Sequence, residues 1–290
     1  GRDLAELYDM KMAGAVAFSD DRKSVGNPNL LLRALLYCKA FNGLVINFPN
    51  TAEVSNSGVM NEGDVSTILG LKGIPELSEE LMVARDIYLA RYTGGRLHFS
   101  TITSPKSLEL IKQGKKEGLH ITCDVAAYHL LLEDKEAMEF DTRYKTMPPL
   151  RNSKSRNELI KGLKSGIIDA VCSDHQPEDI EAKKMEFDNA AFGIINLQTA
   201  FAVANTATQG KISLENLVAS FSAKPRQILG LPPLSIEEGA VANLTLFSPN
   251  NKFVLEKKNI LSKSDNSPFL GKELKGQIYA VCNKKMLEVF

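Results

Sequence analysis

The 290-residue sequence lacks tryptophan and net charge: 35 basic residues balance 35 acidic ones, and there are only four cysteines and four histidines. No apolar run approaches the ~20 residues that cross a bilayer, so no membrane segment is expected. The balanced charge gives no basic footprint for nucleic acid, and a hydrophobic content of 43% argues against disorder. The cysteines form no CxxC pair, so we expect buried thiols in a cytoplasmic protein.

What the sequence contains is an alternation of short apolar runs with helical patterns. The runs cover residues 14–18, 44–46, 96–99, 119–125 and 167–172, and each leads into polar residues. Strands separated by single helices predict parallel pairing with right-handed crossovers. A (β/α) barrel places its functional groups at the carboxyl ends of such strands. The predicted fold class is therefore α/β, of the (β/α)8 TIM type.

The pattern changes after Pro232-Pro233, where the helical period is replaced by short β segments such as LTLF and GQIYAVC. We place a boundary near residue 234, with a barrel region over 1–234 and a small β module over 235–290. Only about five strand–helix units precede the boundary, whereas a closed barrel needs eight. Either the sheet is open, or strands on the N-terminal side are absent from this chain.

Five stretches together resemble the dihydroorotases of the amidohydrolase superfamily: AGAVAFSDD (13–21), the run from GVMNEGDVS to GGRLHF (58–99), KTMPPLR (145–151), GIIDAVCSDHQPED (166–179) and SKSDNSPFLGKELKG (262–276). The resemblance implies a metal-dependent (β/α)8 barrel with one or two zinc ions at its mouth. It makes residues 14–18 about the fourth strand, so that 1–234 hold strands four to eight. Residues 235–290 would form the C-terminal part of a β-sandwich side domain, and a homodimer is expected.

The resemblance also assigns site residues. Asp174, at the end of the last predicted strand, matches the metal-ligating and proton-shuttling aspartate of the family; the alternative is a turn cap. Asp20 is preferred over Asp21 as the metal-bridging carboxylate, since adjacent side chains at a strand end diverge; the alternative is a solvated turn. His175 is a catalytic candidate that could orient Asp174, or a structural histidine.

Four family positions are substituted. Phe48 and Thr101 stand where the family has histidine ligands, and neither side chain replaces an imidazole. Met147 stands where an asparagine binds substrate, and Glu178 stands where a histidine is common. Glutamate would repel an anionic substrate. The zinc that the resemblance implies is therefore expected to bind weakly to this chain.

Three functions stay open. The first is a dihydroorotase, a cyclic amidohydrolase that interconverts carbamoyl aspartate and dihydroorotate in pyrimidine biosynthesis and binds this small-molecule substrate. The second is a catalytically inactive homologue that acts as a scaffold, with aspartate transcarbamoylase as the partner. The third is a different hydrolase reaction on the same barrel, because a fold alone does not determine chemistry.

Overall fold

The computed structural model describes residues 2–290. The helices are α1 (Leu7–Met12), α2 (Pro28–Lys39), α3 (Ala52–Ser55), α4 (Asp64–Leu69), α5 (Leu77–Thr93), α6 (Pro105–Lys116), α7 (Ser153–Lys164), α8 (Ile180–Lys183), α9 (Ala200–Thr208), α10 (Leu214–Phe221) and α11 (Ala223–Ile228). The strands are β1 (Phe18–Ser19), β2 (Leu44–Asn47), β3 (Met60–Asn61), β4 (Gly73–Ile74), β5 (Arg96–Phe99), β6 (Ile121–Ala126), β7 (Ala170–Cys172), β8 (Asn243–Val254), β9 (Glu273–Asn283) and β10 (Met286–Val289). Short 3₁₀ turns cover Ala127–Leu130, Asp134–Ala137, Thr142–Tyr144 and Lys257–Asn259.

Five strands form one parallel sheet in the order β1-β2-β5-β6-β7. The prediction of a parallel α/β arrangement is confirmed, with one strand at each of the five apolar runs. The bounds differ most at β7, which holds only three residues and begins at Ala170 rather than at residue 167. A second, two-stranded parallel sheet joins β3 to β4 and was not expected from the sequence.

The helices begin and end where local chemistry allows. The side chain of Asn27 accepts the backbone N–H of Asn29 ahead of Pro28, so α2 has a capped start. Helix α5 ends at Gly94, whose φ of 64° is a left-handed conformation that glycine adopts without strain. Helix α7 begins at Ser153, because the Asn152 side chain caps its polar first turn.

The central strands are buried on both faces, as expected for a parallel sheet covered by helices. Leu97, Phe99, Cys123 and Val125 are all fully buried in one apolar core. The same core includes Phe269, which reaches it from the region after β8. Among residues 2–290, no helix combines the length and apolar character needed to span a membrane.

The C-terminal strands form an antiparallel sheet in the order β10-β9-β8. The sequence predicted separate short strands, but β8 is one twelve-residue strand. Its ladder is irregular between Ser248 and Lys252, because Pro249 has no backbone N–H to donate. The sheet contacts α9 through Phe247 and Phe201, whose ring centroids are 4.7 Å apart. The predicted domain boundary near residue 234 stays a prediction.

Candidate active site

The loops that follow the five parallel strands meet at one end of the sheet, which we call the mouth. Strands β1 and β7 are opposite edges of the sheet, yet Arg22 after β1 forms an ion pair with Asp174 after β7. Four strand spacings of ~4.8 Å would separate the edges of a flat sheet by about 19 Å, farther than an arginine side chain reaches. The sheet must therefore curve, which brings polar groups from both edges together.

Asp174 is the carboxylate on which this cluster is built. Its Oδ1 accepts a hydrogen bond from Arg22 Nη1, and its Oδ2 accepts one from the Tyr128 hydroxyl. The backbone of Asp174 has a φ of 44°, in the left-handed region that few side chains adopt. Burial raises the pKa of Asp174, although Arg22 and the Tyr128 hydrogen bond both act to lower it. Both oxygens thus have donors at once.

Arg22 supplies the positive charge of the cluster. Besides contacting Asp174, its Nη2 donates to the backbone carbonyl of Met147. Its guanidinium carbon lies 5.9 Å from the centroid of the Phe48 ring, within the range of a cation–π contact. The side chain is 22% exposed, so it is partly accessible to solvent. Arg22 therefore joins loops that follow three different strands.

A second polar network lies deeper, between β5 and β7. Asp124 Oδ2 is 2.9 Å from His98 Nε2, and its Oδ1 accepts from the Thr101 backbone N–H at 2.7 Å and from Cys172 Sγ at 3.3 Å. The other ring nitrogen, His98 Nδ1, is 2.7 Å from the Thr122 hydroxyl. Because the carboxylate can only accept from Nε2, Nδ1 of a neutral ring accepts from Thr122. His98 is buried on β5 and contacts Thr122 and Asp124 on the neighbouring strand β6.

His175 is placed to hold a loop. Its Nδ1 accepts the backbone N–H groups of Asn196 at 3.1 Å and Leu197 at 3.2 Å, and its backbone pairs with Ile194. Burial lowers the pKa of His175, which favours the neutral ring that these bonds require. These contacts hold the segment of residues 194–197. The predicted role of His175 in orienting Asp174 stays a prediction.

The other predicted positions lie around the same mouth. Asp20 is half-buried and Asp21 is exposed at the end of β1, and the charge of Asp21 acts to raise the pKa of Asp174. Asp20 as a metal-bridging group stays a prediction. Phe48 is 4% exposed and Thr101 is 3% exposed, so neither is a surface substitution. Glu178 is half-buried, and its backbone N–H donates to Asn266 Oδ1 at 3.4 Å.

Sequence reasoning missed three members of the site: Arg22, Tyr128 and Asp124. Arg22 directly follows the acidic pair in AFSDD, and Tyr128 directly precedes His129 in AAYHL. For Arg22 and Tyr128, the available signal was a polar side chain within three residues of a strand end, whereas Asp124 lies inside β6. Burial raises the pKa of Tyr128 well above its usual value, so its hydroxyl keeps the proton that it donates to Asp174.

A family model described as Dihydro-orotase-like matches residues 1–107, and one described as Amidohydrolase family matches residues 60–272. The dihydroorotase of Caldicellulosiruptor saccharolyticus is 40% identical over 291 residues, which cover 99% of this chain and 68% of that protein. The chain belongs to the dihydroorotases of the amidohydrolase family. The dihydroorotase of Thermoanaerobacter sp. (strain X514) is 41% identical over 280 residues, or 96% of this chain. This dihydroorotase homologue spans only 65% of the length of that relative.

Solved structures show the same fold for this dihydroorotase homologue at lower identity. The D-hydantoinase (dihydropyrimidinase) of Thermus sp. superposes with a TM-score of 0.86 at 20% identity, over 100% of this chain and 68% of that one. The L-hydantoinase (dihydropyrimidinase) of Arthrobacter aurescens gives 0.84 at 22% identity, over 98% and 68%. The parallel sheet with a separate antiparallel sheet is therefore the fold of these amidohydrolases.

Members of this family are generally metal-dependent. Residues 2–290 contain no group of three or more His, Cys, Asp or Glu side chains positioned to hold a metal ion. Phe48 and Thr101 offer no imidazole, and both oxygens of Asp174 already have protein donors. The residues that this chain brings to the mouth do not fit a zinc ion.

Proposed function

We propose that this dihydroorotase homologue is a cyclic amidohydrolase that interconverts carbamoyl aspartate and dihydroorotate, a step of pyrimidine synthesis. Its sequence relatives support the reaction class. The observation that carries the proposal is the Asp174 carboxylate at the carboxyl end of β7, the position where this fold presents catalytic groups.

Asp174 would carry the proton of the reaction. Opening the cyclic amide requires a base that takes a proton from the attacking water and an acid that returns it to the ring nitrogen. Burial raises the pKa of Asp174 toward neutrality, which suits a group that must perform both steps. Arg22 carries the positive charge that attracts an anionic substrate to the mouth. For turnover, Asp174 must first release one of its two donors.

The test compares dihydroorotate hydrolysis, followed by chromatography, in the wild type and in Asp174→Asn. Loss of a general acid–base group should lower kcat by about 10²–10⁴-fold, since the amide neither accepts nor donates the required proton. Asp179→Asn is the matched control, because Asp179 lies exposed in the same motif and its side chain forms no cap on α8. Equal turnover in the wild type and Asp174→Asn would contradict the proposed role.

The alternative prediction is a catalytically inactive homologue that acts as a scaffold, with aspartate transcarbamoylase as the partner. Arg22 and Tyr128 hydrogen-bond to both oxygens of Asp174, so turnover requires one of these two donors to leave. Absent turnover, together with co-elution of the two purified proteins in size-exclusion chromatography, would support the scaffold. Light scattering of the protein alone would test the expected homodimer.

A further inference from the structure

We propose that the guanidinium of Arg22 is an internal cation that takes the place of a metal ion at the mouth. The chain would then hold its strand ends together by protein charge alone. This inference goes beyond the proposed reaction and holds whether or not substrate is turned over.

The position of the guanidinium is the first argument. Asp174 and Phe48 stand at two positions where the family resemblance places metal ligands, at the ends of the nonadjacent strands β7 and β2. Arg22 bonds to the first and lies 5.9 Å from the ring centroid of the second. One cation therefore lies between two former ligand positions. A divalent ion that binds Asp174 there would have to displace it.

Charge balance is the second argument. A carboxylate as buried as that of Asp174, which is 12% exposed, is unfavourable without a compensating cation. Arg22 supplies one positive charge, and Tyr128 supplies a second donor to the remaining oxygen. The planar guanidinium presents several donors in a fixed fork, which lets Arg22 bind the Met147 carbonyl at the same time. The loss of an asparagine side chain at Met147 does not affect this contact, because only its backbone is used.

Thr101 stands at another position where the family resemblance places a metal ligand. Its backbone has a φ of 57°, which is unusual for a β-branched residue. In this conformation its N–H donates to Asp124 at 2.7 Å. The position thus serves the deeper hydrogen-bond network between β5 and β7. Thr101 therefore supplies no imidazole at the mouth, while Arg22 places a positive charge beside Asp174.

The first measurement is zinc content, by elemental mass spectrometry on wild-type protein expressed with added zinc and dialysed against metal-free buffer. We expect well below one zinc per chain, and a melting temperature that neither ZnCl₂ nor a chelator changes. About one zinc per chain that is lost in Asp174→Asn would overturn the inference.

The second measurement is the melting temperature of three substitutions at Arg22. Arg22→Gln keeps an amide donor but removes the charge, and should lower the melting temperature by roughly 10 °C. Arg22→Lys keeps the charge and should restore more than half of that loss. Arg22→Gln combined with Asp174→Asn should also recover most of it, because a neutral pair replaces the uncompensated carboxylate. Arg33→Gln, at an exposed arginine on α2, is the matched control.

The comparison of glutamine with lysine separates charge from hydrogen bonding. If Arg22→Gln and Arg33→Gln both have the melting temperature of the wild type, Arg22 compensates no buried charge and the inference is wrong. The inference is also wrong if Arg22→Gln and Arg22→Lys have the same melting temperature, since a hydrogen bond alone would then explain the contact. Turnover does not enter either measurement, so failure of the proposed reaction and failure of this inference are distinguishable.

Discussion

Two buried opposite charges, Glu79 on α5 and Arg151 in the loop before α7, are bridged by Thr103 and give the sharpest stability prediction. Glu79 and Arg151 are 2% and 3% exposed. The Thr103 hydroxyl lies between them, because it donates to Glu79 Oε2 at 2.5 Å and accepts from Arg151 Nε at 3.1 Å. Arg151 Nη1 also donates to Asn61 Oδ1 at 2.9 Å and to the Ile74 carbonyl at 2.7 Å. Arg151→Met removes all three hydrogen bonds and leaves Glu79 without its cation.

The magnitude follows from these contacts. Arg151 donates three charged hydrogen bonds, worth about 1.5–3 kcal/mol each, and their sum is an upper limit for its contribution to stability. The cost of desolvating Arg151 reduces this limit. Breaking one partner of a buried pair costs about 3–5 kcal/mol, because the other charge stays buried. We therefore expect Arg151→Met to lower the free energy of unfolding by about 4 kcal/mol. With a urea m-value of about 3 kcal/mol/M, the denaturation midpoint falls by roughly 1.3 M.

The assay is urea denaturation followed by circular dichroism, at pH 8 and at pH 5. Burial raises the pKa of Glu79, and Arg151 acts to lower it. A carboxyl group whose pKa is raised in the folded state adds stability at pH values below its unfolded-state pKa, near 4.5. This stability is lost as the pH rises through the folded-state pKa. Without Arg151 the folded pKa rises further, so the variant should lie closer to the wild type at pH 5 than at pH 8.

Two controls decide whether this reasoning is right. Adding Glu79→Gln to Arg151→Met should recover part of the loss, because no buried charge then remains. Arg91→Met breaks the exposed pair with Glu117 and should cost under about 1 kcal/mol. A loss at Arg151 no larger than the loss at Arg91, or a gap that widens at pH 5, would refute the argument.

Two further predictions concern buried titratable groups. Burial lowers the pKa of His129 to about 3 in the folded state, so the neutral ring adds stability above the unfolded-state pKa near 6.5. This stability is lost as the pH falls through the folded-state pKa, and His129→Gln should therefore flatten the decline of the urea midpoint between pH 7 and pH 4. Burial raises the pKa of the Cys38 thiol to about 11 and raises that of Cys123 as well, whereas Cys282 is partly exposed. Peptide mass spectrometry after brief iodoacetamide treatment should find Cys282 alkylated before Cys38 and Cys123; equal labelling would contradict their burial.

The strand and helix order could be predicted because each element carries its own local signal. Helix α6 spans Pro105–Lys116, since Ser104 caps its start and Gly118 follows its end. The start of α7 has no apolar signal, because its first turn is polar and depends on the Asn152 cap. His120 directly precedes β6 and is exposed, since only its backbone carbonyl joins the sheet.

The site could be predicted only in part, for a reason of distance along the chain. Asp174 and the substitutions at Phe48 and Thr101 were identified because each occupies a motif position. The contact of Arg22 with Asp174 joins residues 152 positions apart, on loops at opposite edges of the sheet. Local patterns do not encode the curvature that brings those edges together. A sequence motif therefore predicts which side chains reach the mouth more readily than which of them pair there.

If both proposals hold, Arg22 must compensate the charge of Asp174 in the resting protein and leave it during turnover. If Asp174 transfers a proton during turnover, one of its oxygens must exchange a protein donor for the reacting group. Arg22 is the donor that can leave, because it is 22% exposed, whereas Tyr128 is 1% exposed. The carboxylate of the substrate is the group that could accept its guanidinium in exchange. An Arg22→Gln variant that is less stable yet frees Asp174 would then bind the anionic substrate less tightly. A variant that is less stable and binds the substrate as the wild type does would separate the two roles and leave Arg22 as a structural cation alone.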